Sequence, residues 1–308
     1  MYCHLHRLSI VTATLLIGFS CPLPVVGNSW GSSAVLAQAQ TREERNGEAL
    51  RLLQAGVQQL NQGQFREALE TFQTVLVIFR EIGVRQGEGV TLLFIGKVYN
   101  NQGEYPQALE YYQQALVIAR EIGNKAMEGT TLNNIGLIYL NQGEYPQALE
   151  YYQQALAIAQ EIEDKAGEAT SLNSLGGVYD HLGQYPKALE YYQQALAITK
   201  EIGDKAGEGA TLSNIGVVYY DLGQYPQALE YYQQALTIAQ EIGNKAGEGT
   251  TLSNIGVVYR SLGQYPKALE TYQQALAIHQ EVGNKVMEGT TLNNIGLVYN
   301  NQGKYPQA

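Results

Sequence analysis

Six of the eight prolines stand at Pro106, Pro146, Pro186, Pro226, Pro266 and Pro306, forty residues apart without a slip. Around each the text is nearly copied. Tyr105 to Ile122 reads YPQALEYYQQALVIAREI and Tyr145 to Ile162 reads YPQALEYYQQALAIAQEI, differing at two positions, and the string returns from Tyr185, Tyr225 and Tyr265. A fixed period of this length leaves few choices. Each segment is one supersecondary unit that buries its apolar faces only against its neighbours, so the chain is an array.

Each period reads as two helices. Leu132, Ile135, Gly136 and Tyr139 recur at spacings of three and four, which is one helical face. Gly143 breaks that pattern, and Pro146 opens the second helix, where its missing N–H costs nothing and its fixed φ fits. Ala148, Leu149, Tyr152, Ala155, Leu156 and Ala159 form the second apolar face. Gly123 is expected to close the preceding helix as a left-handed cap, with Asn124-Lys125 continuing the turn. Gly136, Ala148 and Ala155 let the helices approach closely, and the larger Tyr139 and Tyr152 fill the spaces between them. Strand content is expected to be near zero.

Ile135, Gly136, Tyr139, Gly143, Ala148, Tyr152 and Ala155 together resemble the tetratricopeptide repeat. The match recurs in five complete units, 89–122, 129–162, 169–202, 209–242 and 249–282. A looser unit, 49–82, has Ala55, Gly56, Gln59, Gly63, Ala68, Phe72 and Val75 at these places, and a seventh, 289–308, is cut off. Where the family usually has Pro near the end of its second helix, this chain has Gln160, Lys200 or Gln240. Six residues, such as Gly123 to Glu128, separate one 34-residue unit from the next, and the second helix is expected to run to about Ile162. Units of this length are similar to those of the kinesin light chain and the Leu-Gly-Asn adaptors. The resemblance implies an all-α fold, a right-handed superhelical solenoid of antiparallel helix pairs, whose first helices line a concave surface. It also implies a protein–protein interaction scaffold that binds peptides or partner proteins.

The two ends differ from the middle. Residues 1–39 hold both cysteines, Cys3 and Cys21, the single Trp30 and one charged residue, Arg7. A basic start, the apolar run Leu8 to Phe19 and Ala37-Gln38-Ala39 are the three parts of a secretory signal peptide. The expectation is export to a periplasm or the exterior and no membrane contact after cleavage, with an uncleaved anchor as the alternative. The array then occupies 40–308. Its first unit uses Phe65, Phe72 and Phe79 where later units use Tyr or Ala, as a capping repeat would. At the other end the sequence reaches Pro306-Gln307-Ala308 just inside a second helix. The expectation is truncation, with Leu292, Ile295 and Tyr299 short of their partner and self-association open through that end; the alternative is a natural stop with the last helix packed on its predecessor alone.

The candidate binding residues lie on the first helices, opposite the packed face, where Thr130, Asn133, Asn134, Leu137, Leu140 and Asn141 fall. Asn134 recurs as Asn214, Asn254 and Asn294, with Ser174 in the third unit. Asn133 recurs as Asn173 and Asn293, with Ser213 and Ser253 between. An amide donates and accepts, so such a ladder can hold the backbone of an extended peptide whatever its sequence. The plainer alternative is that these amides cap turns or bridge helices. Beside the ladder runs a column that changes from unit to unit, Asn100, Leu140, Asp180, Tyr220, Arg260 and Asn300. The next column reads Asn101, Asn141, His181, Asp221, Ser261 and Asn301. Fixed amides beside changing residues fit a sequence-tolerant clamp with local specificity, with drift at exposed positions as the alternative.

Glu110, Glu121 and Glu128 recur in most units and read as a solvated face. In the pair Tyr111-Tyr112, Tyr112 is the expected core residue, and Tyr111 is placed at the unit-to-unit seam or outside.

Charge and scarcity limit the function. With 19 Lys and Arg against 29 Asp and Glu, the net charge is −10, the wrong sign for gripping nucleic acid. After residue 39 there is no Cys, and only His181 and His279 remain, so no thiolate metal site or Cys nucleophile is available. No Gly-rich phosphate loop follows a strand, and no cofactor or enzymatic activity is expected. The second reading makes this chain the recognition part of a longer protein, whose missing C-terminal region carries the activity. Resemblance suggests a caspase-like protease domain there.

Overall fold

A computed structural model describes residues 32–303, with side chains from Thr41 onward. The basic start and the Leu8–Phe19 run lie outside the described residues. Ala37-Gln38-Ala39 falls in the backbone of the first helix. All regular structure among the described residues is helical, in thirteen helices. Among them, no helix is long and apolar enough to cross a membrane.

The contacts divide the chain after Gln142 into two compact units. The first holds α1 (Ser32–Asn61), α2 (Phe65–Ile82), α3 (Arg85–Gln102), α4 (Tyr105–Glu121) and α5 (Lys125–Asn141). The second holds α6 (Tyr145–Glu161), α7 (Lys165–His181), α8 (Tyr185–Glu201), α9 (Lys205–Asp221), α10 (Tyr225–Glu241), α11 (Lys245–Ser261), α12 (Tyr265–Glu281) and α13 (Lys285–Asn301). In both units each helix packs on the next in sequence, and odd-numbered helices also touch their odd-numbered neighbours, as α7 touches α9 and α9 touches α11. The odd helices are called A helices below and the even ones B helices.

Local chemistry sets the helix ends. Glycines such as Gly103 (φ 77°) and Gly123 (φ 66°) stop helices in the left-handed region, where a side chain would clash with the backbone. Among the described residues Glu163 (φ 56°) is the one non-glycine found there. Pro enters each later B helix in its first turn. From α3 onward the A helices begin four residues earlier than the sequence suggests. Asn124 is the N-cap of α5 and its side chain accepts from the Met127 N–H at 3.0 Å, so most of the six-residue spacer Gly123–Glu128 is helix. Asp164, Asp204, Asn244 and Asn284 cap α7, α9, α11 and α13 in the same way.

Packing within each hairpin turns on a glycine and a tyrosine. The Tyr112 ring lies on Gly96, so close that a Cβ there would sit 2.6 Å from the ring, and Tyr192, Tyr232 and Tyr272 lie on Gly176, Gly216 and Gly256 alike. The A-helix glycine therefore admits a ring, rather than a bare backbone as the small-residue pattern suggests. Tyr112, Tyr152 and Tyr272 are buried. Ile138 is fully buried beside Leu132 and Ile135, while Tyr139 is half-buried. In the first unit Leu60, Phe72, Leu92, Ile95, Ile118 and Met127 share one core. Tyr111 belongs to its own hairpin: its ring stacks on Tyr99 at 5.4 Å, as Tyr191 stacks on Tyr179 and Tyr231 on Tyr219.

Between successive hairpins sits a recurring polar clamp, which corrects the solvated-face reading of Glu128. Glu128 is only 7% exposed. Its Oε1 accepts from Arg120 Nε of the preceding B helix at 2.8 Å, and its Oε2 lies 3.4 Å from Lys125 Nζ. Glu88 does the same with Arg80 and Arg85, and Arg85 continues to Glu121. In the second unit Glu248 takes Gln240 and Lys245. Burial pushes the Glu128 carboxyl up, but hydrogen bonds from Arg120 and Lys125 outweigh it and hold it below its ordinary value. Glu110 is exposed. On α13, Leu292 is 49% exposed while its counterparts Leu92, Leu132 and Leu212 are 1% exposed.

Candidate functional site

The A helices carry every candidate residue. In the first unit Asn100, Asn133, Asn134 and Leu140 are all half-buried on α3 and α5. In the second unit Asn173, Asp180, Asn214, Tyr220, Asn254, Arg260 and Asn294 are half-buried, while Asn293 and Asn300 on α13 are exposed. Half-burial follows from position. The other side of each A helix meets its B helices, and this side meets neighbouring A helices and, in places, the first residue of a B helix.

The register between neighbouring A helices is forty-one residues, one more than the repeat. Asn214 Nδ2 donates to Asn173 Oδ1 at 3.2 Å. The Tyr220 hydroxyl and Ser261 Oγ are 3.0 Å apart. Asp180 and Asp221 stand in the same relation and repel. So the changing column of one repeat faces the next column of the following repeat, and the two form composite positions. The structure brings together Asn173 with Asn214, Asp180 with Asp221 and Tyr220 with Ser261. Asn254 and Asn294 are not joined to each other.

The Asn173–Asn214 bond means part of the ladder bridges helices, as the plainer reading had it. The bond uses one donor hydrogen of Asn214 and the Asn173 oxygen, leaving both Asn173 hydrogens and the Asn214 oxygen for other partners.

The first residues of three B helices, Tyr145, Tyr185 and Tyr225, border these columns. Tyr225 lies against Tyr220, ring centroids 5.6 Å apart and tilted by 44°. Asp180 and Asp221 both act on the Tyr185 hydroxyl, whose pKa is raised by burial and by these two charges. His181 stacks on Tyr145 at 6.0 Å. Burial and Asp221 push the Asp180 carboxyl up to about 7, and its Oδ1 is buried without a hydrogen bond.

Two features escaped sequence reasoning. Lys97 on α3 is half-buried, and burial lowers its ammonium pKa. Its signal was available, because the aligned positions hold Leu137, Gly177, Val217, Val257 and Leu297. His279 on α12 is fully buried, with Nε2 3.3 Å from Ser253 Oγ, which in turn lies 3.5 Å from Thr291 Oγ1. Aligned positions hold Ala119, Ala159 and Ala239. Among the described residues no group of three or more His, Cys, Asp or Glu is placed to hold a metal ion.

Helix pairs stacked by a fixed repeat, with half-buried polar columns on their A helices, define a helical-repeat array, a fold typical of protein–protein interaction scaffolds. The chain matches the tetratricopeptide repeat family over residues 48–121, 127–201, 207–281 and 247–308. It belongs to that family. No curated protein matches it in sequence.

Solved structures share the fold. The signal transduction ATPase with numerous domains from Pyrococcus horikoshii, which has a tetratricopeptide repeat sensor, is similar with a TM-score of 0.64 at 18% identity, over 87% of this chain and 41% of that one. A Rap protein complexed with Competence and Sporulation Factor gives 0.63 at 16% identity, over 87% of this chain and 88% of that one. A putative kinesin light chain with nearly identical repeats, from Podosopora anserina, gives 0.50 at 19% identity, over 63% of this chain and 96% of that one.

Proposed function

We propose that this protein is a scaffold that binds extended segments of partner proteins along the A-helix face of its repeats. The observation that carries the reading is the row of half-buried polar side chains on neighbouring A helices, Asn173 and Asn214 above all, whose amides keep hydrogen-bonding capacity after bonding each other. Backbone groups of an extended chain need such partners once water is displaced. The fold is one typical of interaction scaffolds, and a Rap protein of similar fold was solved with a factor bound. The pattern of residues 1–39 supports export of the protein.

The test is an immobilised panel of unrelated unstructured peptides, probed with the full chain and with the Asn134→Ala/Asn254→Ala variant. The reading expects a subset of peptides to bind, and the variant to bind them more weakly with an unchanged circular-dichroism melt. Absence of binding to any peptide, or equal binding by the variant, would overturn it.

A further inference from the structure

The second unit carries an ordered set of side chains on three neighbouring A helices. Asp180 on α7 faces Asp221 on α9, Tyr220 on α9 faces Ser261 on α11, and Arg260 follows on α11. Acid, aromatic and base succeed one another at one repeat per step. Asp180 and Arg260 are left to be answered from outside. Asp180 Oδ1 is buried and accepts no hydrogen bond, and the neighbouring charge is another carboxylate. Arg260 is half-buried and makes no ion pair with any described residue. The Tyr185 hydroxyl lies within the field of both carboxylates, which together with burial raise its pKa. Tyr220 is held between these charges by Ser261 and by the Tyr225 ring.

Resting on the groove reading above, we infer that the second unit selects an extended partner segment by charge order, seating a Lys or Arg side chain against Asp180 and an Asp or Glu side chain against Arg260. An aliphatic or aromatic side chain lies over Tyr220 between them. Packed helices are about 8–10 Å apart and an extended chain advances about 3.3–3.6 Å per residue, so each step spans about three residues. The cation and the anion of the segment therefore stand about six residues apart. Complementary charge is what names the partner. A like-charged side chain at either position leaves a half-buried charge facing its own sign, which disfavours wrong partners more than contacts favour right ones.

The probe is a display library of random peptides about twelve residues long, selected on the full chain. The expected outcome is enrichment of sequences with a basic and an acidic residue about six apart. Selection on Asp180→Asn should lose the basic preference and keep the acidic one. Selection on Arg260→Gln should do the reverse. Peptides enriched on the parent chain should bind the matching variant about tenfold more weakly, the scale of one charge-assisted contact. Circular dichroism of each variant confirms that the fold is kept. Enrichment without the charge pair, or preferences unchanged in the variants, would overturn the inference while leaving the groove reading intact. No enrichment at all would overturn both.

Discussion

Asn214 Nδ2 donates to Asn173 Oδ1 at 3.2 Å, across two A helices and forty-one residues of sequence. The bond belongs to the fold as well as to the proposed groove, so its loss has a structural share. Asn173→Ala should lower stability by about 1 kcal/mol, the net worth of an ordinary hydrogen bond. Asn254→Ala, with no such partner, should stay within about 0.5 kcal/mol of the parent. Urea unfolding of the two variants checks the pair, and equal losses would remove the distinction.

Glu163 stands with φ 56° where the other turns have Gly123, Gly203, Gly243 and Gly283. The left-handed conformation costs a side-chain-bearing residue about 1–2 kcal/mol, partly offset by the extra freedom glycine has when unfolded. Glu163→Gly should therefore stabilise the second unit by about 1 kcal/mol. A melting temperature at or below the parent's would show that Glu163 makes compensating contacts.

Gly256 lies under the Tyr272 ring, with room for no Cβ: one placed there would be 2.6 Å from Cε1. Alanine would gain about 1 kcal/mol of helix propensity and lose about 1–3 kcal/mol to overpacking. The net expectation for Gly256→Ala is destabilisation, read as an earlier urea transition. A stabilised variant would mean that the ring moves aside freely.

His279 is fully buried and burial lowers its pKa below the ordinary value. An unfolded histidine takes a proton near pH about 6.5, and the buried one resists it. The stability it lends is fully present above that pH and is lost as pH falls toward the folded value. The melting temperature should drop between pH about 7 and 5, and His279→Ala, which restores the residue of neighbouring repeats, should flatten that slope. A flat parent profile would contradict the assignment. The paired glutamates such as Glu128, held below their ordinary value, lose their contribution only at lower pH.

The hairpins were legible because copies of one string forty residues apart reveal which positions stay apolar, and Gly143 and Pro146 mark the turn between them. The start of each A helix was not. Lys125 to Glu128 has no apolar periodicity and looks like a linker, yet Asn124 caps it and Arg120 anchors Glu128 from the previous helix. A buried carboxylate in so short a segment is invisible to hydropathy; its trace is the Lys–Glu pair three apart that recurs as Lys165–Glu168 and Lys205–Glu208.

The candidate columns were found in sequence, but their pairing was not. An alignment at a period of forty sets Asp180 beside Tyr220, whereas the packed helices set it beside Asp221. The one-residue offset comes from how neighbouring A helices meet, and no single repeat encodes it. Tyr111 shows the same limit, since its partner Tyr99 sits in the hairpin's other helix.

Thr250 on α11 and Thr237 on α10 form a matched pair for the most direct test. Both are exposed, and both hydroxyls donate to the carbonyl four residues back, one on an A helix and one on a B helix. A benzophenone side chain placed at either position reports whatever lies against that helix when a panel-selected peptide is bound. Cross-linking from position 250 and none from position 237 is the predicted result. Cross-linking from position 237 alone would put the peptide on the B helices and contradict the account.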